Sequence, residues 1–279
     1  MSLAPSAVAA AFLAACRAEL AALKPGNVHR HAEGHGMTVA QFEASAVAAA
    51  PAIAAAGRTV GRRILGAVEA TRDAVGTNTN LGIVLLAAPL AQAALAPGGA
   101  GLRARLERVL AALDRDDAEL AFQGIRLAAP GGLGASARHD VREPARVPLL
   151  EAMAEAAGRD LIARQYASGF AEVWDPGIAE LRRARAAWSD PHWPVTAVYL
   201  GFLAGFPDSH VARKHGMAVA ERVRRQARPL QRSLTAAADP AALAPELLAF
   251  DSALKAEGLN PGTSADLTVA TLLAAALEG

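Results

Sequence analysis

The sequence predicts an all-α fold, a single array of about ten or more helices, and three observations carry that expectation. Of the 279 residues, 53% are hydrophobic but only 4% aromatic, and alanine and leucine dominate; this mixture favours helix over sheet. Helix start and stop signals recur from end to end. No run alternates apolar and polar residues for long enough to mark a strand, and no fixed-period repeat divides the chain. Residues 1–279 are therefore expected to form one all-helical domain, a length that buries a sizeable core.

The elements follow in order. Ser6 to Leu23 reads as an amphipathic helix stopped by Pro25-Gly26. Thr38 and Gln41 form a capping-box pattern for a helix from Thr38 to Ala56, with Gly57 behind it. Val60 to Val75 precedes the polar run Gly76-Thr77-Asn78-Thr79-Asn80, and Leu81 to Leu95 is strongly apolar. Pro97 to Gly101 breaks the chain before helices over Leu102–Leu113 and Asp117–Leu127. A loop from Pro130 to about Pro148 leads to helices over Leu149–Phe170, Pro176–Trp188 and Pro194–Leu203. A helix capped by Asp208 or Ser209 runs to about Arg228, and Pro240–Glu257 and Ser264–Leu277 complete the set. Thr263 and Asp266 give a second capping-box pattern.

Acidic and basic residues nearly cancel, leaving a formal charge of +1, and the arginines are dispersed. No basic stripe marks a nucleic-acid partner. The single cysteine, Cys16, excludes an intrachain disulfide and reads as a small buried residue. The most apolar segment, Leu81 to Leu95, is shorter than the roughly 20 residues a membrane span needs. With no secretory pattern at the start, a cytoplasmic protein without a membrane partner is expected.

Against this apolar background, polar residues gather in five clusters at helix boundaries. In Lys24-Pro25-Gly26-Asn27-Val28-His29-Arg30 a sharp turn brings cations within reach of phosphate, although a plain helix stop is the simpler local reading. His29, His31 and His35 lie in a Gly-rich stretch, so metal ligation by them is not expected. Glu69 and Asp73 sit four residues apart, on one helix face, and such a pair suits a Mg²⁺ ion carried by a nucleotide. Thr77, Asn78, Thr79 and Asn80 follow, and the next helix start offers amides to an anion.

The third cluster, Pro130-Gly131-Gly132-Leu133-Gly134, allows close backbone approach to a ligand, but it is neither a Walker A loop nor preceded by a strand. In the fourth, Ser209 and His210 are followed by Arg213 and Lys214, cations suited to phosphate. Cations this close to a helix start oppose its dipole, which favours a functional reason for them. In the fifth, Pro261 to Leu267 feeds a helix through hydroxyl residues, Ser264 among them.

Taken together and in this order, the clusters resemble the triphosphoribosyl-dephospho-CoA synthase family over nearly the whole chain. The resemblance is carried by Lys24-Pro25-Gly26, Phe42 to Ala46, Gly76 to Gly82, Pro130 to Gly134, Pro207 to His210 and Pro261 to Leu267. It implies an all-α transferase that takes a phosphorylated ribosyl group from ATP with loss of adenine. The acceptor it implies is the ribose 2′-hydroxyl of 3′-dephospho-CoA, and the product is a prosthetic-group precursor. Two departures mark a divergent branch: Asn80-Leu81 stands where the family pattern has a basic pair, and His29 where it has an acid.

The expected site is then as follows. Glu69 and Asp73 hold Mg²⁺, and His210 is a candidate proton acceptor. ATP and its phosphates are expected at Lys24, Gly26, Asn27, Thr77, Asn78, Thr79, Asn80, Gly131, Gly132, Ser209, Arg213, Lys214 and Ser264. A homo-oligomer is compatible with the sequence. One alternative keeps the transfer but changes the acceptor, for example to a methanopterin-type pterin. Another, of a different class, is a non-catalytic nucleotide-binding helical protein.

Overall fold

The structure, a computed structural model, describes residues 2–134, 136 and 138–279. Its α-helices are α1 (Pro5–Ala21), α2 (Val39–Ala54), α3 (Val60–Val75), α4 (Leu81–Leu95), α5 (Leu102–Ala111), α6 (Arg115–Ala128) and α7 (Leu149–Ala156). They continue as α8 (Leu161–Ser168), α9 (Ala179–Ala187), α10 (His192–Gly205), α11 (Ser209–His215), α12 (Met217–Ala236), α13 (Ala244–Ala256) and α14 (Gly262–Glu278). A π-helical segment, Val173–Ile178, precedes α9 and a 3₁₀ turn, Pro240–Leu243, precedes α13. Among the described residues there is no strand, only isolated bridges at His29–Ala32 and Gly34–Met37. The fold is all-α, as the composition predicts.

The bounds of α3 and α4 match the sequence reading because their end signals are local. Thr59 caps α3 through its side chain, and Gly76 closes it with a left-handed φ of 71°. Other helices depart from it. The single helix expected over Leu149–Phe170 is two, because Asp160 accepts from the amides of Ile162 and Ala163 and starts α8 anew. The helix expected from Asp208 to Arg228 also breaks, at Gly216, whose φ of 90° no helical residue adopts. Around the expected Thr263–Asp266 capping box the helix starts one residue earlier than Thr263. Helix α14 begins at Gly262, and the Thr263 hydroxyl instead accepts from the amide of His210.

The chain divides into two compact units. The first comprises Met1–Ala15, Gln41–Ala171 and Leu273–Gly279. Within it α4 lies against α3, α5, α6 and α8 and buries most of its length, from Ile83 to Ala94. Pro89 removes one backbone donor inside α4, orphaning the Leu85 carbonyl. The Tyr166 hydroxyl of α8 takes that donor's place, donating to Leu85 O at 2.6 Å. Helices α3 and α6 approach closely at Gly61, where an added Cβ would lie 2.7 Å from the Asp117 backbone. Asp117 also accepts from the Gly61 amide at 2.7 Å.

The second unit comprises Cys16–Ala40 and Glu172–Leu272. Its core gathers Leu23, Trp188, Tyr199, Leu200, Leu203 and Val223 with Leu247, Leu254 and Leu259. Helix α10 packs on α9 and α12, and α11 on α12. No helix among the described residues is long and apolar enough to cross a membrane.

Candidate active site

In the first unit, Glu69 and Asp73 are both exposed, one turn apart on α3. Neither has a hydrogen-bond or ion-pair partner among the described residues. Just beyond, the turn from Thr77 to Asn80 is organised by its own side chains. Asn78 accepts from the Leu81 amide at 3.2 Å and so satisfies the first amide of α4. Buried Asn80 donates to the Thr71 hydroxyl at 3.1 Å, tying the turn back to α3. Ser45 donates to the Gln41 carbonyl and lies 2.6 Å from the Thr79 hydroxyl, which therefore donates to it. Thr71, Arg72, Thr77, Asn78 and Asn80 line a small pocket together with Val68, Leu127 and Ala128. Arg72 reaches across to donate to Leu127 O at 2.8 Å. Gly131 and Gly132 lie further along, on an exposed loop.

Two carboxylates without a third ligand do not make a resident metal cage, and no group of three or more His, Cys, Asp or Glu gathers among the described residues. They do fit Mg²⁺ as it is commonly bound, by one or two carboxylates with substrate phosphates supplying other ligands.

In the second unit the Lys24–Asn27 turn is buried. Lys24 is 0% exposed and ion-paired with Glu19, itself 3% exposed. Lys24 also donates to Asn27 Oδ1 at 3.0 Å, and Asn27 donates to Asn260 Oδ1 at 2.7 Å. Burial raises the Glu19 carboxyl pKa and lowers that of the Lys24 amine, each drawn back by attraction to the other. Gly26 is required by shape: its φ is 84°, and a Cβ would come within 2.8 Å of Leu254 and of Pro261. The Gly26 amide donates to Asp251 Oδ1, the Tyr199 hydroxyl to Pro25 O, and the His35 ring to Gly26 O.

Asp251 is the hub that sequence reading misses. It receives the Gly26 amide and Lys255, and His29 Nε2 lies 3.4 Å from it. Burial, the largest influence on it, pushes its carboxyl up, but His29, Lys255 and the Gly26 amide together bring it below its ordinary value. Nothing in its helical surroundings signals this, because the Gly26 turn it holds is more than two hundred residues away in the chain.

Asp208 performs a comparable role between helix starts. One oxygen accepts from the amides of His210 and Val211, the other from the amide and hydroxyl of Ser264. One buried carboxylate thus caps both α11 and α14. Ser209 and Ser264 are buried in this arrangement, so neither hydroxyl is presented to solvent. Arg213 is partly buried and Lys214 exposed on the last turn of α11. The His210 ring has no hydrogen-bond partner among the described residues. Burial, then Lys214, Arg213, His35 and His215, lower its pKa to about 3.

Of the sequence-predicted residues, then, the first unit carries Glu69 and Asp73 exposed on α3 and Thr77 to Asn80 in the turn that follows it, with Gly131 and Gly132 apart on their loop. The second brings together Lys24, Gly26 and Asn27 in its interior, and His210 and Ser264 at Asp208, with Ser209 buried beside it and Arg213 and Lys214 on the last turn of α11.

With this arrangement in view, comparison with known proteins is decisive. The family model described as CitG, ATP:dephospho-CoA triphosphoribosyl transferase, matches residues 5–279. The chain belongs to the CitG family. Among solved structures it is similar to a protein of Archaeoglobus fulgidus provisionally described as a triphosphoribosyl-dephospho-CoA synthase. The two share 28% identity over 85% of this chain and 98% of that one, with a TM-score of 0.67. A search of functionally curated proteins finds no match. This CitG-family chain is accordingly a transferase of the triphosphoribosyl-dephospho-CoA synthase type.

Proposed function

We propose that this CitG-family protein cleaves the bond between C1′ and adenine in ATP and joins the triphosphoribosyl group to a hydroxyl of 3′-dephospho-CoA. The observation that carries the reading is the pair Glu69 and Asp73, exposed and unpartnered among the described residues immediately before the Thr77–Asn80 turn, in a chain that matches the family from residue 5 to 279. Mg²⁺ bound there with ATP supplies positive charge against the triphosphate. The turn that follows offers the Thr77 hydroxyl, and the start of α4 offers the backbone amides beyond the Leu81 amide that Asn78 occupies.

Ribosyl transfer passes through a transition state with oxocarbenium character, as glycoside cleavage does. The C1′–N9 bond breaks with its electron pair on adenine, and a bond forms from C1′ to the acceptor oxygen. The proton of the acceptor hydroxyl passes to a base on the protein and is then available to the departing adenine. A carboxylate or His210 is the candidate for that base, and Arg213 and Lys214, on the same helix as His210, are candidates for binding phosphate. Lys24, Gly26 and Asn27 contribute from the interior, as the buried turn that anchors His35 through the Gly26 carbonyl.

The departure at Asn80-Leu81 supports a second reading of the acceptor. Asn80 is spent on Thr71 and Leu81 begins α4, so neither supplies a cation. A less anionic acceptor, such as a pterin-type cofactor precursor, suits that turn. The test is incubation with ATP and Mg²⁺ plus each acceptor in turn. Free adenine with a mass-matched product identifies the acceptor, and no adenine with any acceptor refutes ribosyl transfer.

A further inference from the structure

The fourth sequence cluster places an imidazole where its chemistry depends on what else is bound. His210 lies on the first turn of α11, with Arg213 and Lys214 three and four residues on and His215 behind them. These positions lie on or near one helix face. From the loop before α2, His35 also acts on the ring, and its own Nε2 is committed to Gly26 O at 2.8 Å. Beneath, Asp208 is spent on four donors, the His210 amide among them. On the α14 side the ring packs on the bare α-carbon of Gly262. A Cβ there would fall closer to His210 Nδ1 than real Cβ atoms come. Gly262 has no left-handed φ that would call for glycine, so the space taken by the imidazole is what requires glycine at this position.

We propose that His210 is a substrate-gated proton acceptor, a weaker base in the free protein and a stronger one when a phosphate chain is bound at Arg213 and Lys214, with Gly262 as the positioning residue that seats its ring. This rests on the reading that those cations bind phosphate. Burial and the surrounding positive charge keep the free imidazole neutral and a poor base. An anion bound among the cations offsets the second and smaller influence and raises the ring's affinity for a proton. Proton abstraction is thereby favoured by an occupied phosphate site, and an empty site is left with the weaker base.

The test is a histidine NMR titration of the full-length protein, with inorganic tripolyphosphate as the probe and calorimetry to record binding. In the free protein the His210 resonance should not titrate between pH 5 and 8. With tripolyphosphate its midpoint should rise by about one unit or more, the scale of one nearby charge. In the Arg213→Ala/Lys214→Ala variant the free midpoint should rise, and tripolyphosphate should add nothing. Gly262→Ala should keep tripolyphosphate binding but move the His210 resonance and lower turnover. If tripolyphosphate binds in an Arg213- and Lys214-dependent way while His210 does not respond, the gating is wrong and the phosphate site stands. If tripolyphosphate does not bind at all, the phosphate reading falls and the gating with it.

Discussion

The Tyr166–Leu85 hydrogen bond gives the sharpest quantitative test of how this apolar interior tolerates a proline. Tyr166 is 1% exposed and its hydroxyl donates to Leu85 O at 2.6 Å, in the place of the amide that Pro89 lacks. Burial, with a smaller push from Asp117, holds the phenol well above its ordinary pKa, so it remains a donor at any working pH. Tyr166→Phe keeps the ring and its packing and removes only the donor. A buried carbonyl is then left without a partner, at a cost of about 1–3 kcal/mol. For a chain this long each kcal/mol lowers the melting temperature by about 2–4 °C. Pro89→Ala returns an amide to the helix and gives Leu85 O its ordinary partner. In that background Tyr166→Phe should cost about 1 kcal/mol or less, a coupling of roughly 1–2 kcal/mol between the sites. Urea denaturation of the four proteins, followed by circular dichroism, measures the cycle. Equal costs of Tyr166→Phe in the parent protein and in the Pro89→Ala background would refute the reasoning.

Asp73→Asn should weaken Mg²⁺-dependent ATP binding at least about tenfold while leaving the melting temperature within about 1 °C, since surface changes cost little; unchanged binding by calorimetry removes Asp73 from the metal site. Asp208→Asn turns an acceptor for two helix starts into a group that is half donor. It should destabilise by about 2–4 kcal/mol, counting two affected donors, and a thermal melt indistinguishable from the parent would show that the double cap is idle. Stability should also fall as pH drops from 7 toward 5. Burial holds His29, His31 and His210 below the ordinary 6.5 in the fold, so at these three residues the unfolded chain binds more protons in that window than the folded one. His210→Asn should flatten the slope of urea midpoint against pH, and an unchanged slope contradicts the assignment.

How much of this is legible in the sequence follows the range of each interaction. Helices α3 and α4 are readable to the residue because Thr59, Gly76 and the Thr77–Asn80 run act on the backbone beside them. The breaks at Gly216 and at Asp160 escape a sequence reading because helix-forming residues stand on both sides of them. At the candidate site, the carboxylate pair on α3 is foreseeable from four-residue spacing. The burial of Lys24 is not, since the partners that enclose its turn, Asp251, Asn260 and Tyr199, come from distant segments. Thr263 shows the same limit: it carries the pattern of a cap, yet its hydroxyl serves His210 on another helix.

The central claim is that this transferase moves the triphosphoribosyl group of ATP onto 3′-dephospho-CoA, and one measurement meets it directly. Purified protein with ATP, Mg²⁺ and 3′-dephospho-CoA, resolved by liquid chromatography and mass spectrometry, should release adenine in equal amount to a product heavier than 3′-dephospho-CoA by the triphosphoribosyl group. ATP left intact, or adenine formed with 3′-dephospho-CoA unconsumed, would contradict it.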